Sequence, residues 1–303
     1  MLWFWWEGVF FLINSNLLSF KVDTPSVTLP EIFDFICMEV LRMEKLFAAE
    51  AFAGKTVLVT GSTSGIGAGT AKAFATYGAQ VVVTGRNRER GEAVVAEITT
   101  SGGEAELLIG DVAEAEFCEK LIVESIKRFG RLDILVNNAG IAIQGKITSH
   151  SNAAWQALVN TNINSVFYLS RAAIGPMKQQ GGGVIINLSS ECGLIAYEDL
   201  AAYSATKGAI SMFTKVLAID HARDNIRVNA ICPGDIDTPM TDIAWKAMNL
   251  SSAEIREKLK EHIPIGRVGN TDDIAAMAMF LASDSASFIT GAIIPVDGGT
   301  TAR

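Results

Sequence analysis

The 303-residue sequence predicts an α/β fold: a doubly wound parallel sheet of about seven strands, helices on both faces, in a single domain. Three observations carry that expectation. From Lys55 onward, short β-rich runs alternate with amphipathic helical stretches, the pattern of βαβ units. The strand runs are apolar throughout, as strands covered on both faces must be. The first strand also runs directly into a glycine-rich turn that opens a helix.

The predicted strands are KTVLVT (55–60), QVVVT (80–84), AELLIG (105–110), LDILVN (132–137), GVIINLS (183–189), RVNAIC (227–232) and AIIPV (292–296). Helical patterns lie between them near 66–77, 88–100, 114–129, 152–178, 200–222 and 272–282. Segment 238–264 is the one insertion that breaks the alternation; it reads as helical and partly apolar through Met240, Ile243, Trp245 and Met248. Residues 51–303 therefore form one catalytic-sized domain, and residues 1–50 are an extension outside it. The first twenty residues, MLWFWWEGVFFLINSNLLSF, are long enough and apolar enough to cross a bilayer. No Lys or Arg precedes the run, and Glu7, Asn14 and Asn16 interrupt it. A membrane anchor, a surface-docking segment and sequence upstream of the functional protein all fit. The third is preferred, because MEKLFAAEAFAGKTVLVTG from Met43 leads straight into the first strand.

Composition narrows the function. Hydrophobic residues make up 49% and charged residues 19%, so the chain is globular and not disordered. A formal charge of −8 argues against nucleic acid or another polyanion as partner. Cys37, Cys118, Cys192 and Cys232 are scattered with no CxxC pair, which suits a reducing, cytoplasmic setting. Three scattered histidines give no zinc-ligand spacing.

Strand one ends in Thr60-Gly61-Ser62-Thr63-Ser64-Gly65-Ile66-Gly67 and a helix follows. Glycines there let the chain turn sharply and bring backbone N–H groups to a pyrophosphate at the helix N-terminus. The spacing is GxxxGxG, a loose version of the dinucleotide fingerprint, and the absence of Gly-Lys-Ser/Thr excludes a P-loop. Strand two ends Thr84-Gly85-Arg86-Asn87, with no acid before Glu89 and with Arg86, Arg88 and Arg90 at hand. An acid here would hold the ribose hydroxyl of NAD, whereas a guanidinium suits the 2′-phosphate of NADP. NADP is therefore preferred over NAD, although Arg86 can equally be a solvated turn residue. In YSATK, Tyr203 and Lys207 sit four residues apart on one helix face. A fixed cation beside a phenol favours the phenolate and lowers its pKa. An isolated YxxxK is more often a core tyrosine with a surface lysine, so the remaining motifs decide.

With TGSTSGIG (60–67), Asp111-Val112, NNAG (137–140), Asn162, Ser190, YSATK (203–207) and PGDIDTPM (233–240) in order, the chain resembles the short-chain dehydrogenase/reductase family from about Gly54 to its C-terminus. The resemblance implies a Rossmann-type fold and an NAD(P)-dependent oxidoreductase that interconverts a secondary alcohol and a ketone. It makes Tyr203 the proton donor, Lys207 its partner, Ser190 the holder of the substrate oxygen and Asn162 the residue that helps position a relay water. Ser189 is the alternative to Ser190. The same resemblance implies cofactor contacts at Gly61, Ser62, Ser64, Gly65, Ile66, Gly67, Arg86, Asp111, Val112, Asn138, Ala139, Gly140, Tyr203, Lys207, Pro233, Gly234, Ile236 and Thr238. It also implies a homodimer or homotetramer built on the helices at 152–178 and 200–222.

The substrate pocket is expected from Glu191, Cys192 and Leu194, from 141–147 and from the 238–264 insertion. Reduction of a 3-oxoacyl thioester is an alternative, but Gly181 and Asp224 stand where carrier-protein reductases have basic docking residues. A nucleotide-sensing or scaffold protein without turnover is the other class; the intact set Asn162, Ser190, Tyr203 and Lys207 argues against it.

Overall fold

The structure, a computed structural model, describes residues 2–6, 9–14, 17–22, 48–241 and 252–303. Cys37, Met43, Ile243, Trp245 and Met248, named above, lie outside those residues. The chain divides into two compact units, Met1–Ala48 and Ala49–Arg303.

In the first unit, β1 (Leu2–Trp6), β2 (Val9–Asn14) and β3 (Leu17–Val22) form an antiparallel sheet in that order. Leu2 pairs with Ile13, and Val9 with Val22. The described residues of the apolar run that is long enough to span a bilayer are thus strand rather than helix, in keeping with their density of Trp, Phe, Val and Ile. Among the described residues, no helix is long and apolar enough to cross a membrane.

The second unit is organised by a seven-stranded sheet in which every pairing is parallel. Its strands are β4 (Thr56–Val59), β5 (Gln80–Gly85), β6 (Glu104–Ile109), β7 (Ile134–Asn137), β8 (Gly183–Leu188), β9 (Ile226–Pro233) and β10 (Ile293–Val296). Their spatial order is β10-β9-β8-β7-β4-β5-β6. All seven predicted strands are present. The chain leaves β4 to one side for β5 and β6, then returns to the other side for β7. That reversal opens a crevice beyond the carboxyl ends of β4 and β7, where open α/β sheets bind ligands.

The helices are α1 (Gly65–Thr76), α2 (Arg88–Thr100), α3 (Ala115–Phe129), α4 (Asn152–Leu158), α5 (Ser165–Gln179), α6 (Ala201–His221), α7 (Ser252–His262) and α8 (Thr271–Ala282). On one face α1 packs closely on α8: a Cβ added at Gly69 would lie 2.5 Å from Thr271 Cβ. On the other face, Cys118, Leu121 and Ile122 of α3 and Leu169, Ala173 and Met177 of α5 cover Leu58, Leu135 and Ile185. These residues are buried, so a row of Leu, Ile and Met from two helices closes that side of the sheet.

The predicted helix over 152–178 differs from the structure in one respect. A π-helical turn, Val159–Asn164, separates α4 from α5. Such turns insert one residue into the helix and recur at functional sites.

Candidate active site

A cavity of about 580 Å³ lies at the carboxyl ends of the strands, a size that suits a small-molecule ligand. Its floor begins at the turn after β4. Thr60 Oγ1 accepts from the N–H groups of Asn138 and Ala139, both at 3.0 Å, and Asn138 Nδ2 donates to Thr60 O at 2.8 Å. The turns after β4 and β7 are thereby laced together. Gly61 has φ +64°, and a Cβ there would lie 2.9 Å from Ala139 Cα. A Cβ at Gly67 would lie 2.5 Å from Gly61 O. Only glycine fits either place. Ser64, the N-cap of α1, makes no side-chain capping bond, and the first turn carries no acid. Ser64, Gly65 and Ile66 therefore bring an uncapped helix N-terminus to the cavity wall, a favourable place for an anion.

Most of the predicted cofactor contacts line this wall: Gly61, Ser64, Gly65, Ile66, Arg86, Asp111, Val112, Asn138, Ala139, Gly140, Tyr203, Lys207, Pro233, Gly234, Ile236 and Thr238. Ser62 and Gly67 lie behind it. The Ser62 hydroxyl donates to Val59 O at 2.6 Å and accepts from Thr84 N at 3.0 Å, while its own N–H goes to Thr84 O. It ties β4 to β5 and is fully buried. Thr63, Asn87, Arg90, Thr161 and Met240 also reach the wall. Arg90 was legible as a neighbour of Arg86, Met240 as part of the 238–264 insertion, and Thr63 and Asn87 as members of the two turns; nothing in the sequence singles out Thr161. Arg86 is 70% exposed, with its guanidinium 3.6 Å from Asp111 Oδ2.

The reacting end of the cavity is built by the turn after β8 and by α6. Ser190 caps the short turn Glu191–Gly193, its Oγ accepting from Cys192 N at 3.2 Å and keeping its own hydrogen free to donate. Ser189, the alternative serine, is occupied: its Oγ donates to Lys207 O at 2.9 Å and meets Ser211 Oγ at 2.9 Å. Ser190 Oγ is also the hydrogen-bonding neighbour of the Tyr203 hydroxyl. Lys207, 4% exposed, donates to Leu188 O at 2.8 Å and stands 5.6 Å from the centre of the Tyr203 ring.

The electrostatics correct the expectation of a lowered phenol. Burial pushes the Tyr203 phenol above its ordinary value, Cys192 and Glu191 add to the rise, and only the Ser190 hydrogen bond opposes it. The Lys207 ammonium is itself spent on the Leu188 carbonyl. Burial also pulls the Lys207 ammonium down to about 8. Both groups are biased toward their uncharged forms, as desolvation requires.

Asn162 is fully buried in the π-helical turn. Its amide accepts from Ile141 N at 2.8 Å and donates to Ile141 O at 2.9 Å and Thr206 Oγ1 at 3.0 Å. The side chain thus joins the pocket loop after β7 to α6 one turn from Tyr203. Asn160 accepts from Gln156 and Asn164, so of the three asparagines in this turn Asn162 is the one that ties to Ile141 and Thr206. Of the residues expected around the substrate, Met240 and Ile141 are on the wall, Leu194 is exposed and Glu191 is buried behind Ser190.

Known proteins resemble this chain in sequence and in fold. The model of a family described as enoyl-(acyl carrier protein) reductase matches residues 61–301. An uncharacterized oxidoreductase of Thermotoga maritima is 42% identical over 251 residues, 83% of this chain and 99% of that protein. The 2,5-dichloro-2,5-cyclohexadiene-1,4-diol dehydrogenase LinX of Sphingobium indicum is 39% identical over 251 residues, 83% of this chain and 98% of its own. The crystal structure of a provisionally assigned NAD(P)-dependent gluconate 5-dehydrogenase from Beutenbergia cavernae, with NADP bound at low occupancy, is similar with a TM-score of 0.78 at 33% identity. That match covers 84% of this chain and 100% of the solved one.

Proposed function

Because the chain belongs to the short-chain dehydrogenase/reductase family of oxidoreductases, we propose that it interconverts a secondary alcohol and a ketone, with NADP preferred over NAD. The observation that carries this reading is the meeting of Ser190, Tyr203 and Lys207 in the same cavity as the glycine turn and the uncapped N-terminus of α1.

The residues fit a nicotinamide dinucleotide. The glycines of the turn leave room that a Cβ would fill, and the α1 N-terminus suits a pyrophosphate. Arg86 and Arg90 are on hand for a 2′-phosphate, with no acid on β5 to favour a free ribose hydroxyl. Once bound, the cofactor supplies or takes up hydride at the substrate carbon. Ser190 donates a hydrogen bond to the substrate oxygen, most strongly as negative charge develops there. Tyr203 gives its proton to that oxygen in reduction and takes it back in oxidation. Lys207 supplies positive charge below the phenol and holds the end of β8. Asn162 keeps the loop after β7 against α6.

The name of LinX, a diol dehydrogenase, supports an alcohol as substrate. Phe167 of α5 and Met212, Val216 and Ile219 of α6 are 44%, 60%, 50% and 79% exposed, which supports a homodimer or homotetramer built on those helices. The test is a screen of secondary alcohols, ketones and a 3-oxoacyl thioester by nicotinamide absorbance, with NADPH and NADH in parallel. Tyr203→Phe removes only the ionisable hydroxyl, so it is expected to abolish turnover while leaving the NADPH dissociation constant nearly unchanged. Substantial residual turnover would remove Tyr203 from the proton-transfer role.

A further inference from the structure

Ser189 comes directly before Ser190, yet the proton transfer described above leaves its hydroxyl unused. The residue is buried. It is the last of three consecutive residues, at and just past the end of β8, that bond to α6. Asn187 Nδ2 donates to Thr214 Oγ1 at 2.9 Å, Leu188 O accepts from Lys207 Nζ at 2.8 Å, and Ser189 Oγ donates to Lys207 O at 2.9 Å. Ser189 Oγ also lies 2.9 Å from Ser211 Oγ, and Ser211 Oγ donates to Lys207 O at 3.2 Å. Two hydroxyls and one helix carbonyl thus close a triangle. In the other direction Ser189 N donates to Ile231 O at 2.8 Å, so the same residue is fastened to β9.

The three ties differ in stiffness. Lysine reaches Leu188 O through a flexible four-carbon stem, so β8 and α6 can shift while the ammonium stays bonded. The Asn187 tie is made two turns further along α6, between two side chains. Ser189 is the short one: its hydroxyl grips the backbone of α6 itself, one helical turn from Tyr203. The turn that carries Ser190 meets α6 at the same place. A Cβ on Gly193 would lie 2.9 Å from Lys207 C, 3.0 Å from Ser189 Oγ and 3.1 Å from Gly208 N. Glycine at 193 therefore lets the turn lie against the helix backbone where Ser189 holds it. Gly193 N in turn donates to Ser190 O at 2.9 Å, so a shift of the turn carries Ser190 with it.

We propose that Ser189 is a positioning residue for this reaction: bonded to Lys207 O and to Ser211, it clamps the Ser190 turn onto α6 and so sets the spacing of Ser190 from the Tyr203 hydroxyl. The proposal rests on the alcohol–ketone reading above. Ser190 and Tyr203 must reach one substrate oxygen together, and they come from different elements, a strand end and a helix. The glycine turn after β4 and the N-terminus of α1, which suit the cofactor, lie on other elements again. Loosening the clamp therefore disturbs the reacting end and spares the cofactor end. Misplacing reacting groups by about 1 Å costs on the order of a hundredfold in rate. Losing one short hydrogen bond moves the turn by less, so the expected loss is smaller.

The test compares Ser189→Ala, Ser211→Ala and the double variant in the full-length protein. Ser189→Ala is expected to lower kcat about tenfold, while KM for the alcohol or ketone and the NADPH dissociation constant stay within about threefold. Ser211→Ala leaves the bond to Lys207 O in place and is expected to lower kcat about threefold. Losing Ser189 already breaks both contacts, so the double variant should be no slower than Ser189→Ala; losses that multiply overturn the shared clamp. A residue that only packs would lower the melting temperature without splitting kcat from binding. An unchanged kcat in Ser189→Ala, or a fall matched by weaker NADPH binding, therefore overturns the proposal. Amide hydrogen exchange reads the clamp with no substrate present: residues 190–195 should exchange faster in Ser189→Ala, with the glycine turn at 60–67 unchanged. Unaltered exchange at 190–195 refutes the clamp. If Ser189→Ala does not fold, Ser211→Ala carries both measurements, and an unchanged value of either one sinks the proposal. If no alcohol or ketone is turned over, that result counts against the alcohol–ketone reading, and the exchange measurement still decides the clamp.

Discussion

Asn162→Ala separates a structural tie from a direct part in the chemistry. The amide is fully buried and makes three hydrogen bonds, two to Ile141 and one to Thr206. Thr206 Oγ1 still donates to Tyr203 O at 2.7 Å when the amide is gone, so it loses only an incoming donor. Ile141 loses the partners of both its N–H and its C=O. A net value of about 1 kcal/mol for each of the three bonds gives a loss of about 3 kcal/mol, larger if the Ile141 groups stay dry. In a domain of this size each kcal/mol lowers the melting temperature by about 2–4 °C, so the expected fall is about 6–12 °C. Ile141 borders the cavity, and turnover should fall together with stability. Asn162→Asp should be at least as damaging, because it sets an acceptor against the Ile141 carbonyl. The assay is calorimetry on the full chain beside kcat/KM measured well below both transitions. Loss of turnover with a melting temperature within about 2 °C of wild type would refute the tie and assign the amide a direct chemical part.

The two remaining predictions concern the ends of the cofactor and of the chain. If Arg86 receives the 2′-phosphate, Arg86→Ala should weaken NADPH and leave NADH unchanged; the guanidinium is 70% exposed, so the loss belongs near the low end for a charged hydrogen bond, about 1.5 kcal/mol or roughly tenfold in Kd. Equal loss for both cofactors would make Arg86 a turn residue. A chain beginning at Met43 should fold and keep full activity, because every motif lies downstream and relatives of nearly full length align within 83% of this chain. Loss of folding or turnover in that truncated chain would make residues 1–42 part of the working protein.

The sheet was legible because its information is local. Runs such as Val81, Val82 and Val83 are buried on both faces, and their composition announces it. Places where the sequence misleads depend on distant partners. The break in the helix over 152–178 accompanies Asn162 bonds that cross 21 and 44 residues, to Ile141 and Thr206, which no 3.6-residue period encodes. Ser62 belongs to a motif that elsewhere meets a cofactor, but its hydroxyl is used up by Val59 and Thr84. The choice between Ser189 and Ser190 falls the same way, since only the first is claimed by α6. Glu191 reads as pocket lining by adjacency to Ser190; the turn sends its side chain to the opposite side. The apolar run at the N-terminus has the length of a membrane span, and its aromatic and branched residues instead suit the strands β1–β3.

The spacing of Tyr203 and Lys207 places them on one helix face, but spacing does not decide where the ammonium points. Leu188 O takes it at 2.8 Å, and desolvation then governs both groups. A lysine held near 8 still carries its charge at neutral pH, where the buried phenol keeps its proton. A phenol raised by burial is, by default, a proton donor waiting for an acceptor. Protonating a ketone oxygen therefore starts from the resting state of Tyr203. Accepting a proton from an alcohol requires first making the disfavoured phenolate, and every anion behind α6 bears on that step. The two directions of the reaction should thus separate with pH, reduction drawing on the resting phenol and oxidation gaining as the phenolate becomes accessible.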